Sequence, residues 1–179
     1  TSSTRWTCKM PVRRVAKHGE RVLKTRCPPL DFEALKAELP ALLKDMWATM
    51  AAARGVGLAA PQVGLSLRLA VIDVRPEGKS QRLVLINPEI LSLEGTQKEE
   101  EGCLSLPGVY AKLARAARVR VRALGPDGKP WEMTGTGLLA RAFQHELDHL
   151  DGKLYVDRLS FEEKLKVLDA VKAAKPSWD

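Results

Sequence analysis

The stretch AFQHELDHLDG (residues 142–152) decides how the rest of the chain is interpreted. It contains two of the three histidines in the sequence, His145 and His149, spaced four residues apart. On a helix this spacing places two side chains on one face about 6 Å apart, so both imidazoles can bind one cation at about 2.1 Å. Glu146 lies roughly 100° around the helix and can reach a water at that cation without being a ligand. The stretch therefore predicts two metal ligands and a general base.

The residues on either side have the period of a helix that runs from about Gly137 and is closed by Gly152. The histidines share a stripe with Leu138 and Ala142, and an apolar stripe lies next to it: Leu139, Phe143, Leu147 and Leu150. The alternative to a metal site is a pair of structural histidines beside a solvated glutamate.

Two pairs of strands are predicted before this helix. The aliphatic runs SLRLAVIDV (66–74) and QRLVLIN (81–87) are separated by RPEGKS, which indicates a hairpin. The alternating run ARVRVRAL (117–124) is followed by GPDGKP and WEMTG, which indicates a second hairpin. Its arginines at 118, 120 and 122 share one face, which is expected to be the wet side of a sheet rather than an RNA platform.

Two further helices flank these elements. Asp31 can cap a helix that ends near Gly55, and Pro40 either kinks this helix or marks its start. A C-terminal amphipathic helix is predicted over residues 160–175, with Ser160 as its N-cap. Its apolar side is predicted from three residues: Phe161, Leu165 and Leu168.

The fold class that follows is α+β, with antiparallel β-sheets packed around a central helix that carries the HExxH pattern. The N-terminal and C-terminal helices complete a single domain over residues 1–179, in which residues 1–10 are expected to be flexible. No apolar run in the sequence approaches the roughly 18–20 residues of a membrane span. The three cysteines are odd in number and not closely spaced, which argues for a reducing compartment.

The net charge of +7 favours anionic surroundings such as RNA, ribosomes or a membrane surface. A solvated basic surface explains the same charge, since no arginine- or lysine-rich block with interleaved aromatics is present in the sequence. The N-terminal TSSTRWTCKMPVRRVAKHG lacks the apolar region of a secretion signal, and secretion is not expected.

A third metal ligand is not obvious downstream, where only Glu162 and Glu163 in a predicted surface helix are available. Upstream, EEEGCLSLPG (99–108) contains Cys103, which is either a small buried hydrophobe or the thiolate of a site with one cysteine and two histidines. The glycine-rich GVGLAAPQVG (55–64) lacks the pattern of a phosphate loop. Its glycines would let a substrate backbone approach closely, and Gln62 offers an amide donor.

Together these stretches resemble the peptide deformylase family. The family's three signatures are present in its order and at about its spacing as GVGLAAPQ (55–62), EGCLS (101–105) and QHELDH (144–149). The resemblance extends over nearly the whole chain, including VLKTRCPPL near the start and LYVDRL after the helix. HExxH alone is shared with many metalloproteases, whereas the three signatures together are specific.

The resemblance implies a role for each matching residue. Cys103, His145 and His149 would be the metal ligands, and the metal would be Fe²⁺, with Zn²⁺, Ni²⁺ or Co²⁺ able to substitute. Glu146 would be the general acid and base, and Gln62 and the backbone N–H of Leu104 would face the developing oxyanion. The peptide main chain would be held by three residues: Val56, Gly57 and Gly102. Arg141 departs from many bacterial members, which have an aliphatic residue there near the methionine pocket, while organellar members often have arginine.

The function implied is removal of the formyl group from the N-terminal formyl-methionine of new polypeptides. The partners expected are formylmethionyl nascent peptides and, transiently, the ribosome, with no DNA and no membrane. The bacterial cytoplasm or an organelle matrix or stroma is the expected location. An HExxH endopeptidase with another third ligand and a basic RNA- or ribosome-binding module with structural histidines are the competing hypotheses.

Overall fold

The computed structural model describes residues 12–178, so the predicted flexibility of residues 1–10 lies outside the described residues. Four α-helices are found in this part of the chain: α1 (Phe32–Leu35), α2 (Leu39–Ala52), α3 (Gly137–Leu150) and α4 (Phe161–Ala174). Short 3₁₀ turns connect several elements. The strands are β1 (Gly57–Ala59), β2 (Leu69–Val74), β3 (Gln81–Glu94), β4 (Gln97–Cys103), β5 (Leu106–Arg115), β6 (Arg118–Leu124) and β7 (Pro130–Thr136).

The strands form two antiparallel sheets. Five strands pair in the order β1-β2-β3-β6-β7, and β4 pairs with β5 in a separate two-stranded sheet. Both predicted hairpins are confirmed as β2–β3 and β6–β7. The hairpin β4–β5 was not predicted, although it carries Cys103. The prediction of an α+β fold with antiparallel sheets is confirmed.

Strand β2 is buried on both faces because a helix covers each side of it. All six of its residues are buried. Ala70 and Ile72 point into the cluster that contains Phe143 of α3, whereas Leu69 and Val71 point into the cluster that contains α2. This explains why the sequence of β2 is almost continuously aliphatic instead of alternating. The sheet thus places α3 on one face, where it contacts β1, β2, β6 and β7.

The N-terminal helical region is divided in two at Pro40. Asp31 caps the short α1 by accepting a hydrogen bond from the N–H of Ala34 at 3.2 Å. A new helix, α2, then begins at Leu39 with Pro40 in its first turn, where a missing N–H is tolerated. Pro40 therefore marks the start of a helix and does not kink one. At the other end, Arg54 has the left-handed conformation (φ 56°) that the sequence pattern assigned to Gly55.

The C-terminal helix exists, but its predicted apolar side is wrong. Ser160 is its N-cap, accepting a hydrogen bond from the N–H of Glu163. Phe161 is 79% exposed and Leu165 is 48% exposed, whereas Val167 and Val171 are buried. The helix packs against β5 through this rotated face, where Val167 and Val171 share a buried cluster with Val109 and Leu113 of the strand. Glu163 is engaged in the cap, and Glu162 is exposed.

The basic face of the second hairpin is neutralised by neighbouring glutamates. Its arginines are solvent-exposed, as expected for the wet side of the sheet. Each forms an ion pair: Arg118 with Glu94, Arg120 with Glu132, and Arg122 with Glu89 and Glu132. A face paired in this way offers little positive charge to a nucleic acid. Within residues 12–178, no helix has both the length and the apolar character needed to span a membrane.

We expect Gly152→Ala to destabilise the protein more than Gly78→Ala, and the comparison isolates the cost of close packing. Both glycines have positive φ, 72° and 79°, so alanine is strained by about 1–2 kcal/mol at either position. A Cβ at Gly152 would lie 2.7 Å from the carbonyl oxygen of Lys24, whereas none of the described atoms lies within 4 Å at Gly78. Overpacking should add about 1–3 kcal/mol at Gly152. Equal losses of unfolding free energy in urea would contradict this.

Candidate active site

The two histidines of α3 and the cysteine of the β4–β5 hairpin meet in space. Their ligand atoms all lie within 4.8 Å of one another. The Nε2 atoms of His145 and His149 are 3.1 Å apart, and Cys103 Sγ is 3.3 Å from His149 Nε2. Ligands about 2.0–2.3 Å from a tetrahedral metal ion are separated by distances close to these. The donor set of one thiolate and two imidazoles leaves a fourth position open, as in catalytic metal sites.

The ring orientation of His145 is fixed by a buried carboxylate. Its Nδ1 lies 2.8 Å from Oε2 of Glu101, which directs Nε2 towards Cys103 and His149. Burial alone would raise the pKa of Glu101, but hydrogen bonds from His145 and Arg115 lower that pKa to about 2. The carboxylate is therefore ionised and accepts the Nδ1 proton, so His145 can bind a metal through Nε2.

Glu101 belongs to a buried ion network that joins the β4–β5 hairpin to α3. Arg115 of β5 donates to Glu101 at 2.7 and 3.2 Å and to Asp148 of α3 at 2.7 Å. Arg141, one helical turn before His145, donates to Oε1 of Glu101 at 3.1 Å. From the surface side, Arg158 donates twice to Asp148. Glu101 and Asp148 thus have cationic partners inside the protein, as buried charges require.

The thiol of Cys103 is prepared to bind a metal as a thiolate. Burial would raise its pKa, but the positive potential at His149 and hydrogen bonds from the two histidines lower the pKa well below its ordinary value. The backbone N–H of Ser105 and the side-chain amide of Gln62 also donate towards Sγ, at 3.4 and 3.6 Å. Because all of these groups stabilise negative charge on sulfur, the buried-hydrophobe interpretation of Cys103 is not favoured.

Glu146 is buried beside the open side of this cluster. It is 3% exposed, and its Oε2 has no hydrogen-bond partner among residues 12–178. Burial raises the pKa of this carboxyl group. Gly57 of β1 lies directly against it, since a Cβ at that position would be only 2.9 Å from Glu146 Cδ. Any larger residue at position 57 would displace the carboxylate.

The side chain of Gln62 is held in one orientation. Its Oε1 accepts a hydrogen bond from the N–H of Ala59 at 2.9 Å, so the NH₂ group is directed to the opposite side. There Nε2 donates to Ser105 Oγ at 3.2 Å. The amide donor of Gln62 therefore faces the space beside Cys103, as the proposed oxyanion role requires.

A cleft of about 640 Å³ opens onto these groups. Its walls include all of the predicted site residues except His149, which is 1% exposed and lies behind the others. The three substrate-binding candidates from the sequence, Val56, Gly57 and Gly102, line it, as does Leu104, the candidate oxyanion donor. A side chain at Gly102 would collide with the ring of Tyr110, so glycine keeps this wall flat.

Sequence reasoning did not assign roles to several residues of this site. Glu101 was seen only as part of a signature, and Arg115 and Asp148 had no assigned role. Glu101 precedes Cys103 by two residues, which could have indicated a supporting carboxylate. Arg115 offers no such local signal because it comes from the partner strand. Arg141 lines the cleft as expected, but it also pairs with Glu101, which an aliphatic residue could not do.

A cysteine and two histidines at bonding separation, with a buried carboxylate at the open side of the cleft, are typical of a metal-dependent hydrolase. The model of the family described as polypeptide deformylase matches residues 12–165. The chain is 48% identical over 164 residues to a peptide deformylase of Acidobacterium capsulatum, covering 91% of this chain and 95% of the relative.

Solved structures of peptide deformylases also resemble this chain. The crystal structure of a peptide deformylase from Legionella pneumophila superimposes with a TM-score of 0.85 at 44% identity, covering 92% of this chain and 96% of that one. One from Synechococcus elongatus in complex with actinonin has a TM-score of 0.82 at 40% identity, with coverages of 91% and 89%. The chain belongs to the polypeptide deformylase family. It is an enzyme that removes the formyl group from the N-terminal formyl-methionine of new polypeptides in a metal-dependent reaction.

We expect Glu101→Gln to reduce metal affinity by about 10- to 100-fold, because a neutral amide accepts the Nδ1 proton of His145 less strongly than a carboxylate. Competitive titration with a chelator measures this. Glu99→Gln is the matched control, since Glu99 contributes only its backbone carbonyl to Arg141. Equal metal affinity in the two variants would remove Glu101 from this role.

Proposed function

We propose that this chain carries out deformylation with Cys103, His145 and His149 as the metal ligands and Glu146 as the general base and acid. The observation that carries the proposal is the convergence of the three ligand atoms within 4.8 Å of one another. They come from two elements, the end of β4 and the C-terminal half of α3, and we propose that α3 is the central element of the fold. Residues 12–178 would form one domain around it.

The residues fit a divalent metal ion because thiolate and imidazole donors suit iron, zinc, nickel and cobalt. When bound, such an ion acts as a Lewis acid that polarises the formyl oxygen and lowers the pKa of water. The family resemblance favours Fe²⁺ in this chain. Glu101 would keep His145 in the tautomer that binds through Nε2, and Ser105 would stabilise the sulfur through its N–H.

Glu146 is suited to move the proton in both halves of the reaction. Its raised pKa, caused by burial, brings the carboxyl group closer to the working pH, where a base can also act as an acid. It would take a proton from the attacking water and return it to the leaving amine of methionine. Gly57 supports this role because it leaves the carboxylate room beside the substrate.

Gln62 and the backbone N–H of Leu104 would stabilise the oxyanion of the tetrahedral intermediate. The orientation of Gln62 is fixed by Ala59, so its amide group stays directed at the cleft, and donation to the oxyanion would replace its long contact with Cys103 Sγ. One preorganised donor of this kind is worth about 3–4 kcal/mol in comparable sites. The substrate main chain would pair with Val56 and Gly57 on one side of the cleft and Gly102 on the other.

The activity also suggests a partner and a cellular compartment for this chain. The substrate is a formylated nascent peptide, and we propose that the enzyme meets it in a transient encounter with the ribosome, consistent with the net charge of +7. We propose the bacterial cytoplasm or an organelle matrix or stroma as the compartment. The buried free thiol of Cys27 and the thiolate character of Cys103 are consistent with a reducing environment.

Glu146→Gln should retain the metal and the fold but lose about 10²- to 10⁴-fold in kcat, because glutamine has nearly the same shape and cannot accept a proton. Formate release and metal content should be measured on one preparation, with Glu162→Gln on the exposed start of α4 as the control. Normal turnover of Glu146→Gln at full metal occupancy would exclude the proposed base.

Substrate choice distinguishes the deformylase from an HExxH endopeptidase. The enzyme should release formate from formyl-Met-Ala-Ser and hydrolyse acetyl-Met-Ala-Ser at least about tenfold more slowly, because the extra methyl group must fit beside the metal. An unfolded protein without a formyl group should remain intact over the same period, as judged by assay of new amines. Comparable cleavage of the unfolded protein would favour the endopeptidase.

A further inference from the structure

One part of the cleft follows the chain that leads into β1. Towards the end of β1, Leu58 and Ala59 are fully buried, each 0% exposed, so a bound peptide cannot extend that way. In the other direction Val56 is 43% exposed and Arg54 is exposed. A substrate whose formyl end lies beside Glu146 and whose main chain pairs with Val56, as in the proposed function on which this inference rests, would run towards Arg54.

Arg54 is held firmly at this exit. It links α2 to β1 and has a left-handed backbone conformation, with φ of 56°. Its N–H donates to the carbonyl of Ala51 at 3.1 Å, and the next N–H, of Gly55, donates to the carbonyl of Met50 at 3.0 Å. Position 55 lies against Leu104, since a Cβ there would be 2.9 Å from the leucine Cδ1. The backbone that presents the Arg54 side chain is thus fixed on both sides.

Arg54 lines the cleft, and its side chain forms no ion pair with any residue between 12 and 178. Lys17 is a second cation on the same walls. Of the acids that line the cleft, Glu101 is neutralised by arginines and Glu146 is occupied with catalysis. Glu100, on β4, is exposed and makes no ion pair with Arg54. The charge of Arg54, on the α2–β1 wall of the cleft, is therefore not neutralised by an ion pair within residues 12–178 and can pair with a carboxylate of the substrate.

We propose that Arg54 is a specificity residue that favours an acidic side chain at the third position of the formylated polypeptide. Arg54 lies three residues before Gly57, in the turn between α2 and β1, next to the residues proposed to pair with the substrate main chain. The third residue of an extended peptide lies about 7 Å beyond its methionine. The long side chain of Arg54 would meet a carboxylate carried there.

The test uses three peptides with amidated C-termini, which remove the terminal carboxylate: formyl-Met-Ala-Glu, formyl-Met-Ala-Gln and formyl-Met-Ala-Lys. Wild-type enzyme should show a kcat/KM about two- to fivefold higher for the Glu peptide than for the Gln peptide, the range of an exposed ion pair. The Lys peptide should be the poorest. The preference should shrink when salt shortens the Debye length.

Variants at Arg54 separate charge from shape. Arg54→Gln should abolish the preference, Arg54→Glu should invert it, and Arg54→Lys should restore it. All of these side chains are unbranched at Cβ, so the left-handed position strains them similarly. Lys79→Gln removes the same charge from an exposed turn outside the cleft and should leave the ratio between peptides at the wild-type value.

Two failures can be told apart. If formate is released from all three peptides at equal kcat/KM, or if Arg54→Gln retains the preference, the assignment of Arg54 is wrong while the deformylase stands. If the neutral Gln peptide releases no formate, the proposed function itself is contradicted and the role of Arg54 with it.

Discussion

The site depends on one buried carboxylate, that of Glu101, which belongs to the strand hairpin and is surrounded by groups from helix α3. Arg141 and His145 approach it from the helix, and Arg115 approaches it from the neighbouring strand. Burying a carboxylate without partners is expensive, and removing one partner of a buried pair costs about 3–5 kcal/mol. The hairpin and the helix are therefore held at one relative position, and this position brings Cys103 to the two histidines.

The same constraint gives the cleft its chemistry. Because Glu101 accepts from Nδ1 of His145, the Nε2 atom of that ring is directed at the cluster, and the two histidines together lower the pKa of the Cys103 thiol. Glu146, one residue further along α3, lacks such a partner and has a pKa raised by burial. Two carboxyl groups near one metal site thus have opposite pKa shifts, which separates a group that orients a ligand from one that transfers protons.

The sequence predicted those elements whose signal is local. The helix with His145 and His149 and both of its expected hairpins have strong periodicity and clear turns, and the structure confirms them. The predicted packing face of α4 was wrong because helical periodicity alone does not say which side the neighbouring strand covers, and the protein buries Val167 and Val171 while Phe161 stays exposed. The hairpin β4–β5 was missed because its charged first strand, QKEEEGC, has no alternating apolar pattern.

By itself, the sequence determined that two imidazoles and a carboxylate would lie along one helix, since residues four apart on a helix are neighbours whatever surrounds them. The three signatures also indicated which cysteine to examine. Only the tertiary structure decided how Cys103 reaches the helix and which charges hold it there. The Arg115–Glu101 and Arg115–Asp148 pairs join residues 14 and 33 positions apart, and such contacts form only when strands and helix pack together. No local propensity encodes them, because each charge gains its partner only when the strand and the helix are brought together.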